Sequence, residues 1–444
     1  MNTSVLWEQR LLQDRRRVVI LDDDPTGTQT VADVEVILHP SLDAYRQFFA
    51  GPDRAIYVLT NSRSLNREGA TGLVARIRDE VRLAAREARA GVAFLLRGDS
   101  TLRGHVFAEI DVLAAGLENP VSLFVPAFPE GGRATVGGVH YLVTAEGRIP
   151  VAQTEFARDT VFGYRSERLV DWVAEVGQGR RALSLPLELL RVEGPAVVTR
   201  ALLDAPAGSV VVPDAETRSD LEIIAYGLLD AEARGRQVVV RTASTFAAIR
   251  AGLHSAHIDS VESAAGGRVL VVCGSHTAAS SRQLDRLIER TRAPIIIPTD
   301  RLLKEGPDAI VPGLAEAIRG DLERQKFAIL ATERIRQAQH GDLATGARVM
   351  DALTAIVAKV AGNCDAVIAK GGITSAQVAT DGLGATQARV RGQLEPGISL
   401  WNLTLPDGRS LPYAVIPGNV GTDQTLLHIA AQFHAAPLTT TKDE

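Results

Sequence analysis

Three consecutive acids, Asp22, Asp23 and Asp24, follow the apolar run RVVIL (17–21), and the residues Pro-Thr-Gly-Thr come directly after them. Carboxylates in such a place can accept hydrogen bonds from substrate hydroxyls, take up a proton or approach a metal ion. A solvated loop would need neither Gly nor Thr beside its acids. The stretch therefore indicates a site that holds a hydroxyl, a phosphate or a metal ion.

Arginines and other polar residues follow further apolar runs of the first half, in the segments NSRSLN (61–66), RGDSTLRGH (97–105) and AFPEGGRATVGGVHY (127–141). A guanidinium group presents a forked set of donors that fits a carboxylate. A sugar acid needs such donors for its carboxylate and needs acceptors for its hydroxyls. The candidate residues for this binding are Asp24, Arg63, Arg97, Asp99, Arg103, His105, Arg133 and His140. The alternative is that these acids and arginines pair with each other as a structural network.

Loops rich in Gly, Ser and Thr follow apolar runs of the second half: GSHTAASSRQ (274–283), KGGITS (370–375) and PGNVGT (417–422). The first loop could open a helix with Ser275, Thr277 or Ser280 as its N-cap, and the second with Thr374 or Ser375. Glycine lets backbone N–H groups approach an anion closely, and the N-terminus of a helix adds its dipole. Together these loops predict a nucleotide site.

Continuous apolar runs, rather than alternating ones, carry all these clusters at their carboxyl ends. Such runs are typical of parallel strands covered on both faces, and ligands bind outside the carboxyl ends of these strands. An amphipathic helix is predicted over 67–91. The predicted strands are 17–21, 55–60, 92–96, 122–126, 209–213, 237–241, 268–274, 294–298, 327–332, 366–372 and 413–418.

The predicted fold class is α/β, with two domains, each a mainly parallel sheet flanked by helices, and the active site in the cleft between them. The polar, small-residue segment that ends in Gly266-Gly267 sets the boundary. We expect an acid-sugar domain over 1–257, a hinge over 258–267 and a nucleotide-binding domain over 268–444. The segment 127–165 is predicted to be a long excursion, either functional or ordered by small strands.

Composition limits the partners of the chain. Its net charge of −5 arises from 48 basic and 53 acidic residues, a balance that argues against nucleic-acid or membrane partners held by bulk electrostatics. Cys273 and Cys364 lie in or beside apolar runs, so we expect buried free thiols and a cytoplasmic location. Homodimerisation is left open.

Several signatures are absent from the sequence. It has no Gly-x-x-x-x-Gly-Lys-Ser/Thr loop, no Gly-x-Gly-x-x-Gly after a predicted strand and no Cys-x-x-Cys or His-Glu-x-x-His motif. An ordinary P-loop enzyme is therefore excluded. The alternatives left open are a sugar-acid dehydrogenase with an atypical nucleotide site, a metal-dependent hydrolase or aldolase, and a non-catalytic sugar-acid-binding protein.

The motifs DDDPTGT, TNSRS, RGDSTLRGH, PAFPEGGR with GGVHY, GSHT, KGGITS and PGNVG, in this order, resemble the four-carbon acid sugar kinase family over about 17–430. The resemblance implies a kinase with an acid-sugar-binding N-terminal domain and an ATP-binding C-terminal domain. It implies phosphorylation of the terminal hydroxyl of acids such as threonate, erythronate or 3-oxo-tetronates. The implied substrate-side residues are Asp22, Asp23, Arg63, Arg97, Asp99 and Ser100, and the implied nucleotide-side residues are Ser275, Gly371, Gly372, Ile373, Thr374, Gly418 and Asn419.

A mechanism follows from this resemblance as a hypothesis. Asp22 or Asp23 would accept the proton of the attacking hydroxyl, and a second aspartate would help to hold Mg²⁺. Arg63, Arg97 and Arg133 would anchor the substrate carboxylate. Many family members carry Leu/Phe-Thr-Gly-Ala after the acid pair, whereas this chain has Asp24-Pro25-Thr26-Gly27-Thr28. The chain therefore resembles a divergent subgroup, and branched or oxidised acids are open as substrates.

Overall fold

The computed structural model describes residues 3–23, 25–144, 146–258, 261, 267–334, 343–418 and 420–433. Among these residues the strands are β1 Arg17–Asp22, β2 Val34–Ile37, β3 Ala55–Leu59, β4 Val92–Arg97, β5 Val121–Val125, β6 Arg133–Val136, β7 Val139–Thr144, β8 Gly147–Pro150, β9 Ala182–Leu185, β10 Val210–Pro213, β11 Val238–Thr242, β12 Val269–Cys273, β13 Ile295–Ile297, β14 Phe327–Thr332, β15 Ala366–Lys370, β16 Gln387–Glu395, β17 Ile398–Thr404 and β18 Ser410–Ile416.

The helices of the same residues alternate with most of these strands. They are α1 Thr3–Gln13, α2 Leu42–Ala50, α3 Arg67–Glu87, α4 Val106–Ala114, α5 Leu169–Val176, α6 Leu187–Glu193, α7 Pro195–Asp204, α8 Arg218–Ala233, α9 Ser244–Ala251, α10 Ala278–Arg290, α11 Thr299–Glu305, α12 Pro307–Gln325, α13 Leu343–Val360, α14 Gly372–Gln377 and α15 Thr425–Phe433. The helix predicted over 67–91 ends earlier than expected, at Glu87, and Arg89 takes the left-handed conformation that leads into β4.

The chain divides into two compact units. The first consists of Met1–Thr30 with Pro40–His254, and the second of Val31–His39 with Ser255–Glu444. The segment 31–39 thus belongs to the second unit, although it lies within the range 1–257 of the predicted acid-sugar domain. Most of the predicted hinge, 258–267, lies outside the described residues, as do Asp24 and Asn419.

The first unit is built on a sheet with the order β3-β1-β4-β11-β5-β10-β9, in which every described pairing is parallel. The strands β3, β5 and β10 are buried along their whole length, and the helices α4, α5, α7 and α9 pack against strands of this sheet. Trp172 of α5 is fully buried and stacks on Phe124 of β5, with ring centroids 5.0 Å apart. The parallel α/β class predicted from the sequence is confirmed here.

The second unit combines a parallel and an antiparallel part. Strands β13-β14-β12-β15-β18 are parallel in this order, and β18-β17-β16-β2 continue as antiparallel neighbours. The strands β16 and β17 were not predicted. Burial alternates along β16, so this strand lacks the continuous apolar run by which the parallel strands were found.

The predicted excursion over 127–165 contains a small antiparallel sheet in the order β6-β7-β8. Backbone bonds between Thr135 and Ala215 tie β6 to the segment after β10. The carboxylate of Asp214 accepts hydrogen bonds from the N–H groups of Gly137 and Gly138, at 2.7 and 3.0 Å. The excursion is therefore anchored to the carboxyl end of the main sheet.

Two further findings concern the cysteines and the described helices. Cys273 and Cys364 are buried and form no disulfide, as predicted. Within the described ranges, none of the helices combines the length and the apolar character needed to cross a membrane.

Candidate functional site

The carboxyl ends of β1 and β4 bring the first candidate residues together. Because these strands are parallel and adjacent, Asp22 at the end of β1 lies in register with Arg97 at the end of β4. The Nη1 group of Arg97 donates to Oδ1 of Asp22 at 2.9 Å. Both residues are buried, and Asp22 is only 1% exposed. Sequence motifs that are far apart in the chain thus meet as a buried ion pair.

The carboxylate of Asp22 lies very close to the backbone of the PTGT turn. A Cβ atom at Gly27 would collide with its carboxylate, so only glycine allows the PTGT turn to approach it. Burial raises the pKa of Asp22 to about 7, although the positive charge of Arg97 acts in the opposite direction. A carboxyl group with such a pKa can take up a proton near neutral pH.

Asp23 is surrounded by guanidinium groups from separate elements. The Nη2 group of Arg241 donates to its Oδ2 at 3.1 Å, while Arg63 Nε and Arg97 Nη1 lie 3.4 and 3.7 Å from its Oδ1. Arg241 comes from β11, and its other terminal nitrogen pairs with Glu109 of α4. Sequence analysis missed Arg241 and Glu109, since neither lies in one of the motifs. The only available signal was a charged residue at the end of the apolar run QVVVR.

Asp99 belongs to a second, adjoining group of charges. Its Oδ2 accepts a hydrogen bond from Nε of Arg103 at 2.7 Å, and Nη1 of Arg63 lies 3.9 Å away. Although burial raises the pKa of Asp99, Arg103 and Arg63 outweigh this effect and hold it below its usual range. Asp99 is therefore ionised at neutral pH and accepts hydrogen bonds only. Arg103 also lies over the ring of Phe156, at 5.0 Å from its centroid.

The two predicted histidines support the loops around these charges. His140 is buried, with Nε2 at 2.8 Å from the carbonyl of Ser100 and Nδ1 at 2.9 Å from the hydroxyl of Thr135. Burial lowers the pKa of His140 to about 4, so it is neutral and fixes the backbone of the RGDS loop. His105 Nε2 lies 2.9 Å from the carbonyl of Leu65. Both imidazoles thus contact protein carbonyls.

Arg133 differs from the other predicted arginines. Among the described residues it forms no ion pair, its Nη1 donates to the carbonyl of Gly131, and its Nε is buried without a hydrogen-bond partner. Burial lowers the pKa of Arg133, and the negative charge of Asp99 partly offsets this. Arg63, Arg97 and Arg103, by contrast, pair with aspartates, as the structural alternative predicted. Arg133 is thus the predicted arginine best able to receive an external anion.

The second unit gathers its loops at the carboxyl ends of β12, β15 and β18, which are neighbours in its sheet. In the GSHT loop, Thr277 is the N-cap of α10 and accepts from the backbone N–H of Ser280 at 3.2 Å, as one of the predicted capping choices. The Thr277 hydroxyl donates to the carbonyl of Gly418 at 2.6 Å, and Ser280 Oγ donates to Ser275 Oγ at 2.8 Å. The loop after β12 is therefore joined to the loop after β18.

The KGGITS loop departs from its predicted capping. The N-cap of α14 is Gly371, with φ of +116°, and neither Thr374 nor Ser375 is the cap. The Ser375 hydroxyl instead donates to the carbonyl of Gly371 at 2.7 Å from inside the helix. Gly372 and Ile373 begin the helix, and Ile373 is 50% exposed. The prediction was wrong because glycine reaches a positive φ that a threonine or serine cap rarely adopts.

Close approaches between these loops explain their glycines. A Cβ at Gly274 would collide with Oγ1 of Thr374, and a Cβ at Gly418 would lie 2.6 Å from Oγ of Ser275. The predicted nucleotide-side residues Ser275, Gly371, Gly372, Ile373, Thr374 and Gly418 are thus brought together within one unit. Such a gathering of hydroxyls, small residues and a helix N-terminus suits a phosphate.

Lys370 lies beneath these loops and was not assigned a role from the sequence. It is fully buried, and its Nζ donates to the carbonyl of Pro417 at 2.7 Å and lies 3.3 Å from that of Val420. Burial lowers the pKa of Lys370 to about 8. A buried ammonium group thus links the end of β15 to both sides of the loop after β18.

Comparison with known proteins finds a family model for each half of the chain. A family model described as a sugar-binding N-terminal domain matches residues 18–250, and one described as a nucleotide-binding C-terminal domain matches residues 270–426. The chain is therefore a two-domain enzyme of the sugar-acid kinase class. It belongs to the four-carbon acid sugar kinase family, and the resemblance found in its motifs is confirmed.

Relatives with established names cover most of the chain. A D-threonate kinase from Cupriavidus necator is 29% identical over 336 residues, which are 74% of this chain and 77% of that protein. A 3-oxo-tetronate kinase from Methylobacterium radiotolerans is 28% identical over 385 residues, which are 83% and 86% of the two chains. The crystal structure of a Haemophilus influenzae protein, described as a domain of unknown function, has a TM-score of 0.63 at 18% identity and covers 94% of this chain and 100% of its own. This structural likeness supports the fold alone.

Proposed function

We propose that the protein is an ATP-dependent kinase that phosphorylates the terminal hydroxyl of a four-carbon sugar acid, such as threonate, erythronate or a 3-oxo-tetronate. The observation that carries this proposal is the buried Asp22–Asp23 pair in the same unit as Arg133, the one predicted site arginine for which the described residues provide no ion pair. A proton acceptor and a cationic hydrogen-bond donor for an anion are therefore both available there. The names of the D-threonate and 3-oxo-tetronate kinases support the size of the acid.

The proposed mechanism assigns one task to each group of residues. Arg133 binds the carboxylate of the acid, Asp99 accepts hydrogen bonds from its hydroxyls, and Ser100 accepts or donates them. Asp22, whose pKa of about 7 matches the task, accepts the proton of the attacking hydroxyl as the phosphorus–oxygen bond forms. Asp23 orients the arginines around it. Arg63, Arg97, Arg103 and His105 shape the acid site, and Asp24 stays a predicted member of it.

The nucleotide side of the proposal rests on the loops of the second unit. Ser275, Gly371 to Thr374 and Gly418 hold the phosphates of ATP through hydroxyl and backbone groups. Asn419 remains a prediction, because it lies outside the described residues. The transfer requires that the hydroxyl bound by the first unit reaches the γ-phosphorus in line with its leaving oxygen.

Magnesium enters the proposal as part of the substrate Mg-ATP, in which it neutralises the β- and γ-phosphates. The sequence predicted that a second aspartate would help to hold it. In the structure, the guanidinium groups of Arg63, Arg97 and Arg241 already supply positive charge to Asp22 and Asp23. These aspartates do not fit a magnesium site held by the protein, and we assign no step to one.

A coupled ADP-release assay with Mg-ATP tests the proposal against D- and L-threonate, D- and L-erythronate, their 3-oxo forms and branched or five-carbon acids. We expect saturable activity with at least one four-carbon acid, and product analysis should place the phosphate on its terminal oxygen. Thermal unfolding with and without ATP separates the kinase from the remaining alternatives, since neither a dehydrogenase nor a sugar-acid sensor needs ATP. Absence of both ADP release and ATP-dependent stabilisation would refute the kinase. The homodimer and the cytoplasmic location stay predictions.

A further inference from the structure

Arg241 and Glu109 form a buried ion pair directly behind the acid site. Arg241 is 2% exposed, and its guanidinium connects Oδ2 of Asp23, at 3.1 Å, with Oε2 of Glu109. The other oxygen of Glu109 accepts a hydrogen bond from Oγ of Ser62 at 2.5 Å. Ser62 begins the turn that carries Arg63. The pair thus contacts both Asp23 and the turn from which Arg63 reaches the same aspartate.

Glycines of the RGDSTLRGH segment make room for this pair. A Cβ at Gly98 would collide with the guanidinium of Arg241. Gly104, with φ of +123°, lies so close that its Cβ would be 3.3 Å from both Arg241 Nη2 and Asp23 Oδ2. The two glycines therefore serve a residue of β11 that is distant in sequence.

Stability alone is a poor explanation for such a pair. Burying two charges costs desolvation energy, and apolar residues of similar volume often stabilise a core equally well. What apolar residues cannot do is fix the direction of a carboxylate. We propose that Arg241 and Glu109 are a positioning pair that orients Asp23 and the Arg63 turn for the reaction. This inference rests on the proposed kinase function and adds to it residues that do not themselves contact the substrate.

The charges that face Asp23 determine what removal of the pair should do. They come from several elements: Asp22 of β1, Arg63 of the turn after β3, Arg97 of β4 and Arg241 of β11, with Glu109 of α4 behind Arg241. The negative charge of Asp23 contributes to the raised pKa of Asp22, and removing the Arg241 cation leaves that charge less neutralised. The acid limb of the kcat/KM profile should therefore move to higher pH, by about one unit. It should not move if the pair only stabilises the fold.

The experiment compares Arg241→Met, Arg241→Lys and Glu109→Gln with a matched control. Arg250 of α9 is equally buried, at 1% exposure, and pairs with Asp14 and Glu232 at 2.9 and 3.3 Å. Arg250→Met therefore breaks a comparable buried network outside the acid site. Each variant is measured for melting temperature, for kcat, for KM of acid and ATP, and for the pH profile of kcat/KM.

We expect Arg241→Met to lower kcat about 10- to 100-fold with an unchanged KM for ATP, and Glu109→Gln to lower kcat roughly 3- to 10-fold. Arg241→Lys restores the positive charge, so the acid limb of the kcat/KM profile should return towards its wild-type position. The kcat should recover only in part, because an ammonium group lacks the forked pair of donors of a guanidinium group. Arg250→Met should lower the melting temperature and leave kcat and the profile in place. Glu109→Gln keeps the shape of the side chain and carries the test if Arg241→Met does not fold.

Wild-type kcat and an unmoved acid limb in the Arg241 and Glu109 variants, with losses confined to melting temperature, would overturn the positioning role and leave the kinase proposal intact. A wild-type protein that releases no ADP with any acid of the panel and is not stabilised by ATP is a different result. It would refute the proposed function, and the positioning role would fall with it.

Discussion

The proposed acid site and the proposed nucleotide loops are built from different chemical groups. In the first unit, Asp22 and Asp23 are buried among arginines, so nearly every functional atom carries a formal charge. In the second unit, hydroxyls and backbone groups of the GSHT, KGGITS and PGN loops are joined to each other, and Lys370 supplies a buried charge beneath them. A sugar acid has few atoms, so its binding needs a few strong, charged contacts. The phosphates of a nucleotide can instead be bound by many weaker contacts with hydroxyls and backbone N–H groups.

This difference predicts which substitutions and conditions should disrupt each site. Buried charges depend on their partners, because an ion left alone in the interior is costly. The acid site should therefore respond strongly to pH and to the loss of single charges. A site of hydroxyl and backbone groups depends less on single charges, but it should fail when a Cβ is added where two loops touch, as at Gly274 against Thr374.

The largest effect should come from Asp22→Asn. The amide keeps the shape of the side chain but cannot take up the proton of the attacking hydroxyl, so kcat should fall by about 10²- to 10⁴-fold. The KM for ATP should stay the same, because the loops proposed to bind ATP belong to the other unit. Steady-state ADP release with both substrates varied measures this. Asp14→Asn, a buried carboxylate outside the site, is the control and should keep its kcat. Near wild-type turnover by Asp22→Asn would show that Asp22 is not the base.

The difference in stability between the wild type and Asp22→Asn should change with pH by about 2–3 kcal/mol, roughly 100-fold in the unfolding equilibrium. Burial raises the pKa of Asp22 from 3.8 to about 7, so between these values the folded chain keeps a proton that the unfolded chain releases. The wild type therefore loses stability as pH rises through this range. Asp22→Asn lacks this titration, and its free energy of unfolding relative to the wild type should increase between about pH 5 and pH 8.

Urea unfolding at several pH values measures this difference, and Asp14→Asn is again the control. Burial raises the pKa of Asp14, but its hydrogen bond to Arg16 and the charge of Arg250 outweigh this and hold it at about 2. Asp14 is then ionised in both states over the tested range, so its variant should differ from the wild type by a constant amount. A constant difference for Asp22→Asn as well would contradict the raised pKa of Asp22.

Much of the fold could be predicted because parallel strands carry their signal locally. Each predicted apolar run contains a strand, and its polar end lies at the carboxyl edge of a sheet. The strands β2, β9, β16 and β17 were missed. The short strand β9 is parallel to β10, but most of its residues are not fully buried and it has no continuous apolar run. The other three were missed for a different physical reason. They pair antiparallel, β16 and β17 alternate or mix polar residues, and β2 joins β16 across most of the chain length. No local pattern shows such a pairing.

The site was predictable only where its residues lie in motifs. Asp22, Arg63, Arg97 and Asp99 were found because glycine and polar residues surround them after a strand. Arg241 and Glu109 were not, since a single charge at a strand end or in a helix is usually a solvated residue. Their role depends on burial and on contacts between distant segments, and only the three-dimensional structure shows these.

Arg133→Met should weaken binding of the acid and leave the rate of the chemical step nearly unchanged. If its guanidinium receives the carboxylate of the acid, its loss should raise the KM for the acid about 10- to 30-fold, because a charge-assisted, forked contact is removed. Both kcat and the KM for ATP should change little. Arg148→Met, in the same small sheet but paired with Glu216, is the matched control. An unchanged KM for the acid would mean that another group binds its carboxylate.

The smallest effect, and the one that tests the second unit, should come from Lys370→Met. The buried ammonium of Lys370 holds the carbonyls of Pro417 and Val420, so its loss should loosen the loop after β18 and raise the KM for ATP about tenfold. The KM for the acid should stay the same. Arg409→Met is the control: Arg409 also donates to two backbone carbonyls, those of Cys364 and Ala361, at 2.6 and 3.0 Å, but away from the loops. If both variants lose only stability, Lys370 supports the fold and the backbone loops bind ATP without its charge.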